Sequence, residues 1–417
     1  MDQFRSSRIR RLPGGQTLRS FYTRGFWRIW AGSMFWYTAR WMDMFVLQWQ
    51  VLVMTDSAFE VALVGFYRMV PLFFFGLASG LIADRFDRRK VVLFVQLWNA
   101  AVVAALAALA FTDKLAPWHL AILVTALGFS YALDMPSRRA FIYDMMGPRR
   151  LVNALALDHL GMDGAKMLGP ILGGLLWPVI GAGGCFLCLA IGYLVNFFVF
   201  LGLPPSKPPA PSSPGPVWRT MAEGLRYVFQ HPVILGVLAI TVVLNLLGFT
   251  YQNLVPVVAK KMLEQGPRLT GLLLAADGFG AMIVALLIAS RRDLKHKGRA
   301  FVLGSAFFMA AAFLFSLSPW YVLSFAVLLI AGAGGAGFAT MQSGIILISA
   351  SDAMRGRAMG TLILAIGFQP LGTLLIGVLA SALGAPLAIT VTVGAGLLLL
   401  APIVWWATAL WQFRGAG

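Results

Sequence analysis

Long apolar runs separated by short polar stretches dominate the chain, and their lengths decide its architecture. Twelve runs reach about the 20 residues needed to cross a hydrocarbon core: roughly 27–53, 59–83, 91–112, 118–140, 152–178, 184–203, 233–258, 269–290, 300–317, 320–347, 358–382 and 386–411. They are rich in Leu, Ala, Gly, Phe and Met and lack the strict alternation of barrel strands. Helix is then the spanning element, because each backbone N–H and C=O is satisfied within its own segment. The fold class this pattern predicts is an all-α membrane protein with 12 transmembrane helices.

The polar stretches divide the runs six and six. Residues 204–216, PPSKPPAPSSPGP, cannot continue a helix and read as an extended linker. WRTMAEGLRYVFQ at 218–230 follows, an amphipathic stretch suited to a membrane surface. The two halves also resemble each other. Asp144-Met-Met-Gly-Pro-Arg149 aligns with Asp352-Ala-Met-Arg-Gly-Arg357, an offset of 208 residues, and the same offset carries Gly164 and Gly169 onto Gly372 and Gly377. The expected organisation is a basic arm over 1–26, a six-helix half over 27–203, a linker over 204–232, a second pseudo-symmetric half over 233–411 and a tail over 412–417.

Charge orients this arrangement. Residues are 59% hydrophobic and 12% charged, yet the net charge is +17. Of the 33 Lys and Arg residues, three lie deep within spans, and Lys114, Lys260, Lys261 and Arg268 lie on one side. The remaining 26 lie on the other side, with both termini. The positive-inside rule makes that side cytoplasmic, so the expected location is the inner membrane. The excess charge is then topological and does not indicate nucleic-acid binding. Arg5, Arg8, Arg10, Arg11, Arg19 and Arg24 in the N-terminal arm suit anionic lipid headgroups. This arm lacks the short apolar run and small-residue cleavage site of a secretory signal.

The densest polar cluster is GLIADRFDRRKVVL at 80–93, between the second and third runs. The spacing of Gly80, Asp84, Arg85, Arg88, Arg89 and Lys90 resembles the signature loop of the major facilitator superfamily, with Asp87 where a Gly is usual. Ala156, Ala165, Gly169, Pro170, Gly173 and Gly174 are similar to the fifth-helix motif of its antiporters, with Ala at both leading Gly positions. TDSAFEVALVG at 55–65 and Gln369-Pro370-Leu371-Gly372 resemble the branch that holds enterobactin exporters and secretion-type permeases. The resemblance implies a fold whose halves rock about a central site. It implies that the first, fourth, seventh and tenth spans line the cavity, that the fifth and eighth meet across the halves, and that Asp84 faces Arg355 and Arg357 as a cytoplasmic gate. A solvated, topogenic charge cluster is the other reading of that loop.

Charges inside spans are costly and mark candidate function. Arg40 and Asp43 fall in the first span, Arg68 in the second, Asp163 and Lys166 in the fifth and Asp277 in the eighth. Asp134, Asp158 and His159 fall nearer the basic side. At about 1.5 Å rise per residue, Asp43 and Arg68 reach similar depth, as do Lys166 and Asp277. Arg40, one turn from Asp43, flanks it from the other side. Permanent pairing that merely holds helices together is the alternative for all of these. Lys166 has two candidate partners: Asp277, in a pair that opens and closes, or Asp163, in a static bridge. In the first case Asp277 takes up a proton and His159 and Asp163 pass it on. The fourth span, ending at 140, shows no arginine read as buried. Trp36, Tyr37, Arg40, Asp43, Arg68, Tyr131, Asn245, Tyr251, Gln252, Asn253 and Gln342 form the expected mixed aromatic and amide lining.

Several classes drop out. There is no GxxxxGK[ST], HExxH or Ser-His-Asp set, so no enzyme, metal or cofactor is expected. Gly332-Ala-Gly-Gly-Ala-Gly337 fits GxGxxG but lies inside an apolar run, where close helix packing explains it. Cys185 and Cys188 share a helix face and read as packing residues. The expected function is a monomeric secondary transporter that exports a small amphipathic compound (siderophore, drug-like or metabolite), with protons as partner in antiport. The alternatives are a proton-coupled importer, or a non-transporting receptor or scaffold.

Overall fold

The computed structural model describes residues 25–147, 151–206, 217–290, 295–351 and 354–414; within these, the side chains of 76–85, 151–153, 156, 217–221 and 289–290 lie outside the description. Among the described residues, ten helical stretches are long and apolar enough to cross a membrane. One of them, Leu157–Leu201, holds two spans, because the backbone leaves the helix at Gly181 (φ 67°), just after Pro178. The first helix, Phe26–Thr55, is a further span at 30 residues. Twelve spans result, six on each side of the surface helix Val217–Phe229.

The remaining spans, in chain order, are Ala58–Arg85, Arg88–Phe111, Pro117–Met146, Pro232–Lys261, Pro267–Ser290, Lys297–Ser316, Tyr321–Ser349, Arg355–Leu383 and Ala385–Trp406. Two spans of the second half are interrupted, each where a proline removes a backbone donor. In the seventh, an α-helix to Val243 passes through a π-turn at Leu244–Gly248 and a tight 3₁₀ stretch at Phe249–Leu254. It resumes at Val255 with Pro256 in its first turn. The eleventh ends one helix at Ile366 and restarts at Gln369, with Pro370 in the first turn.

Small residues set how closely the halves approach. Cβ atoms added to Gly169 and Gly173 would stand 2.5 Å from Trp41 Cβ and 2.7 Å from a Phe45 ring carbon, so the fifth span lies hard against the first. On its other side, a Cβ at Gly174 would stand 2.5 Å from the Pro267 carbonyl, and Gly271 faces the Pro170 carbonyl with no room for one. Gly278 packs on the Lys166–Met167 backbone. Gly332 packs on the Asp277 carbonyl and Gly334 on Phe308, so the 332–337 glycines are packing residues between the eighth, ninth and tenth spans. In this way the fifth and eighth spans come close enough for side chains to meet across the halves.

The charged loop binds its own half. Asp87, which stands where a Gly is usual, caps the third helix: its carboxylate accepts from the Arg89 N–H at 2.9 Å and from Lys90 and Ser206 N–H. Asp is a favoured N-cap because it satisfies donors the helix cannot. Arg88 pairs with Asp144 at the end of the fourth span, and Arg89 donates to the Phe200 and Leu201 carbonyls.

Candidate transport site

Between the halves, at mid-span, lies a cavity of about 220 Å³. Arg40, Trp41, Met44, Phe45 and Gln48 line it from the first span, and Gly65, Arg68, Met69 and Leu72 from the second. Tyr131, Lys166 and Pro170 complete the first half's wall. The opposing wall carries Phe249, Tyr251, Gln252, Asn253, Asp277 and Gln369. The polar groups of that wall lie largely where the seventh and eleventh spans are interrupted.

Two ion pairs dominate the cavity. Arg68 Nη2 donates to both oxygens of Asp43, at 2.8 and 3.0 Å, with both side chains almost wholly buried. Lys166 pairs with Asp277 across the halves, and Gln252 Nε2 donates to the same Asp277 oxygen at 3.1 Å. Asp163, half-buried a turn away, is not the partner Lys166 takes in this conformation. Arg40 does not clamp Asp43 as expected. Its guanidinium lies over the Tyr131 ring, 3.8 Å from the centroid.

Toward the non-basic face the cavity has a roof. Gln48 Nε2 donates to Asn253 Oδ1 at 3.0 Å, and Gly65 makes room for that amide. Beyond it, Lys260 and Lys261 reach Asp56 at 3.4 and 2.9 Å. Gly377 of the eleventh span meets Ala62 of the second. The described polar contacts between halves thus run from mid-span to this face and close it.

Five expected lining residues are not part of the wall, among them Asp43, which is fully buried in its pair with Arg68. Trp36 is buried behind the wall and stacks on Tyr131 at 6.0 Å between centroids. Tyr37 donates to Asp158 at 2.9 Å. Asn245 donates back to the Thr241 carbonyl of its own helix, and Gln342 donates to the Thr241 hydroxyl. Hydropathy cannot fix which way such residues face, because lipid and neighbouring helices are equally apolar. His159 is exposed. Gln48 and the cavity-facing role of Gln369 were missed; a lone amide within an apolar run was the available signal.

The fourth span also corrects an expectation, for it does hold a buried arginine. Arg138 is 1% exposed, donates twice to Asp134 at 2.6 and 2.7 Å, and donates to Ser33 at 3.1 Å. The helix continues to Met146, which places Arg138 eight residues inside its end. Of the gate residues, Gly80, Asp84 and Arg85 lie outside the described side chains. Arg355 donates to the Leu347 carbonyl, and Arg357 pairs with Glu223 of the surface helix at 2.8 Å.

Comparison with known proteins agrees with this geometry. Residues 16–415 match the model of the transmembrane secretion effector family. The chain belongs to that family, within the major facilitator superfamily of transporters. It is 23% identical to the staphyloferrin A transporter of Staphylococcus aureus over 85% of this chain and 89% of that protein. It is 26% identical to the enterobactin exporter EntS of Shigella boydii over 75% and 74%. Among solved structures, a peptide transporter (POT) in complex with sulfate superposes with TM-score 0.75, at 15% identity, over 99% of each chain. A bacterial homolog of the human lysosomal transporter Spinster superposes with TM-score 0.69, at 14% identity, over 93% of this chain and 97% of that one. The chain is therefore a multi-pass membrane transporter of small molecules.

Proposed function

We propose that this transporter exports a small amphipathic compound from the cytoplasm by alternating access, driven by proton antiport. One observation carries the reading: a mid-span cavity lined from both halves, whose Lys166–Asp277 ion pair bridges those halves. An ion pair between moving bodies is a coupling device, because it forms in one arrangement and separates in another. A carboxylate left alone in low dielectric binds a proton more readily than a paired one. Asp277 is then protonated when Lys166 withdraws, and Asp163, on the basic side of Lys166, takes the proton onward.

Direction is supported by the enterobactin exporter among the relatives and location by the basic face, which the positive-inside rule makes cytoplasmic. The cavity volume limits what enters. At about 220 Å³ it is smaller than the roughly 300–1,000 Å³ of pockets that enclose drug-sized ligands, so in this conformation it seats a small molecule or the head of a larger one. Everted membrane vesicles containing the protein, energised with a pH gradient and screened with labelled siderophores and aromatic acids, test the reading. Gradient-dependent accumulation of a compound in wild-type vesicles, abolished by Asp277→Asn, is expected. Accumulation in right-side-out vesicles instead makes the protein an importer; absence of flux in both overturns transport of these compounds.

A further inference from the structure

The cavity's charges are unequal. Arg40, Arg68 and Lys166 face it with three positive charges, and Asp43 and Asp277 offset two of them. Arg40 has no carboxylate within ion-pair distance among the described residues; Tyr131 covers one face of its guanidinium and Trp41 lies 5.5 Å from it. An aromatic ring attracts the cation but satisfies none of its N–H donors. Arg40 Nε is buried without a hydrogen-bond partner.

Arg68 shows the same incompleteness. Its side chain is 4% exposed, and Nη2 alone serves Asp43. Nε and Nη1 are buried without partners, on a residue that lines the cavity. A buried donor left without a hydrogen bond is costly, and more so on a charged group. Two guanidiniums on adjacent helices, each with idle donors beside one cavity, form a site for a planar oxyanion. Guanidinium matches such a group in two parallel bonds, which ammonium cannot do.

We propose that the arginine pair Arg40–Arg68 binds a carboxylate of the transported compound, so that the substrates are organic anions with an apolar or aromatic body. Trp41, Met44, Phe45 and Met69 line the same cavity and suit such a body. The amides Gln252, Asn253 and Gln369 lie on the opposing wall, where neutral polar groups of the substrate find both donors and acceptors. Arg68 holds Asp43 through one nitrogen and the substrate through the others, so binding leaves the structural pair intact. This inference names the substrate class of the site proposed above and rests on that reading for its transport role.

The test uses three probes of one shape: benzoate, benzamide and benzylammonium, which are anionic, neutral and cationic. Calorimetric titration of the full chain in lipid nanodiscs is expected to give benzoate at least about a tenfold advantage over the other two, the scale of charge-assisted hydrogen bonds. Arg40→Gln removes an unpaired charge and should fold normally while losing that advantage. Asp43→Asn combined with Arg68→Gln should lose it too, without a lone buried charge. Equal affinity for benzoate and benzamide, a preference for benzylammonium, no benzoate binding at millimolar concentration, or a preference that survives Arg40→Gln overturns the inference. Gradient-driven flux confined to neutral or cationic compounds leaves the transporter reading standing and removes the anion site. Benzoate binding as expected with no flux of any compound keeps the site and removes the transport reading.

Discussion

The two six-helix halves share a plan but hold themselves together differently. In the first half, charges sit inside the spans and are tied to neighbours on the same side: Arg68 to Asp43, Arg138 to Asp134 and Ser33, Tyr37 to Asp158, Arg88 to Asp144. The second half places Asp277 deep in a span and relies on glycine contacts such as Gly280 on Leu329, Gly332 on Asp277 and Gly372 on Leu246. Its seventh and eleventh spans are also interrupted beside the cavity, whereas the first-half helices lining it run on past Arg40 and Arg68.

The difference assigns the halves different work. A buried ion pair is costly to break, since separating its members strands charge in low dielectric. A half whose helices are cross-linked by Arg68–Asp43 and Arg88–Asp144, and by the hydrogen bonds Arg138–Ser33 and Tyr37–Asp158, resists internal change and moves as a body. Helices interrupted by proline carry unsatisfied backbone and a place to bend. Gating motion is therefore expected within the seventh and eleventh spans, and the first half supplies a rigid, charged binding wall.

The largest expected effect comes from breaking the first half's central pair. Asp43→Asn leaves Arg68 buried without its counter-charge, a change that typically costs about 3–5 kcal/mol. Thermal unfolding in detergent should show a large drop in midpoint, together with loss of transport. Adding Arg68→Met should restore most of the midpoint, because an apolar pair replaces the ionic one, while transport stays lost. A single variant that unfolds like wild type would mean the pair contributes little to the rigidity of this half.

Packing between the halves comes next. A Cβ on Gly271 collides with the Pro170 carbonyl, where backbone rather than a flexible side chain must yield. Gly271→Ala should cost about 1–3 kcal/mol by overpacking. It acts on the closed face, so it should also favour conformations open there. Spin labels at the exposed positions Lys114 and Glu264, one on each half, would report a longer mean distance in the variant. An unchanged distance would show that the fifth and eighth spans do not set closure.

Much of this arrangement was legible because a bilayer imposes simple rules. Apolar run lengths located the spans, and counting helical rise matched the depths of Asp43 with Arg68 and of Lys166 with Asp277, pairs the structure forms. Rotation about the helix axis was not legible. Trp36, Tyr37, Asn245 and Gln342 lie at cavity depth but face other helices. Arg138 was hidden by its position near the end of an apolar run, where a charge reads as interfacial until the helix is seen to continue. The interruptions at Pro256 and Pro370 decide which amides face the cavity, and a proline marks a break without giving its geometry.

Asp277→Asn tests the contact between the two kinds of half. Lys166 is 22% exposed, so it keeps partial access to water when its partner is neutralised. The stability loss should then be clearly smaller than for Asp43→Asn. Coupling should suffer more than folding: substrate binding persists, and accumulation driven by a pH gradient falls to the level without one. Gradient-driven accumulation at the wild-type rate would place the coupling group elsewhere, and Asp158 would be the next acid to test, because its Oδ1 is buried without a hydrogen-bond partner.

The smallest effect is expected at the closed face, where the halves meet in water. Hydrogen bonds from Lys261, and then Lys260, hold the Asp56 carboxyl below the usual carboxylate range. A carboxyl lowered by folding stabilises the closed arrangement fully at pH values above its ordinary pKa of about 4, and that contribution is lost only as pH falls through the lowered value. Between about pH 5 and 8 this latch should therefore not titrate at all. Asp56→Asn should weaken closure slightly, by an amount that shrinks as salt screens the exposed charges, and should leave the pH profile of transport over that window unchanged in shape. The spin-label distance between Lys114 and Glu264, followed against salt and pH, checks both statements. A pH dependence near neutrality that disappears in Asp56→Asn would move the proton-sensitive element from the buried ion pairs to the surface latch.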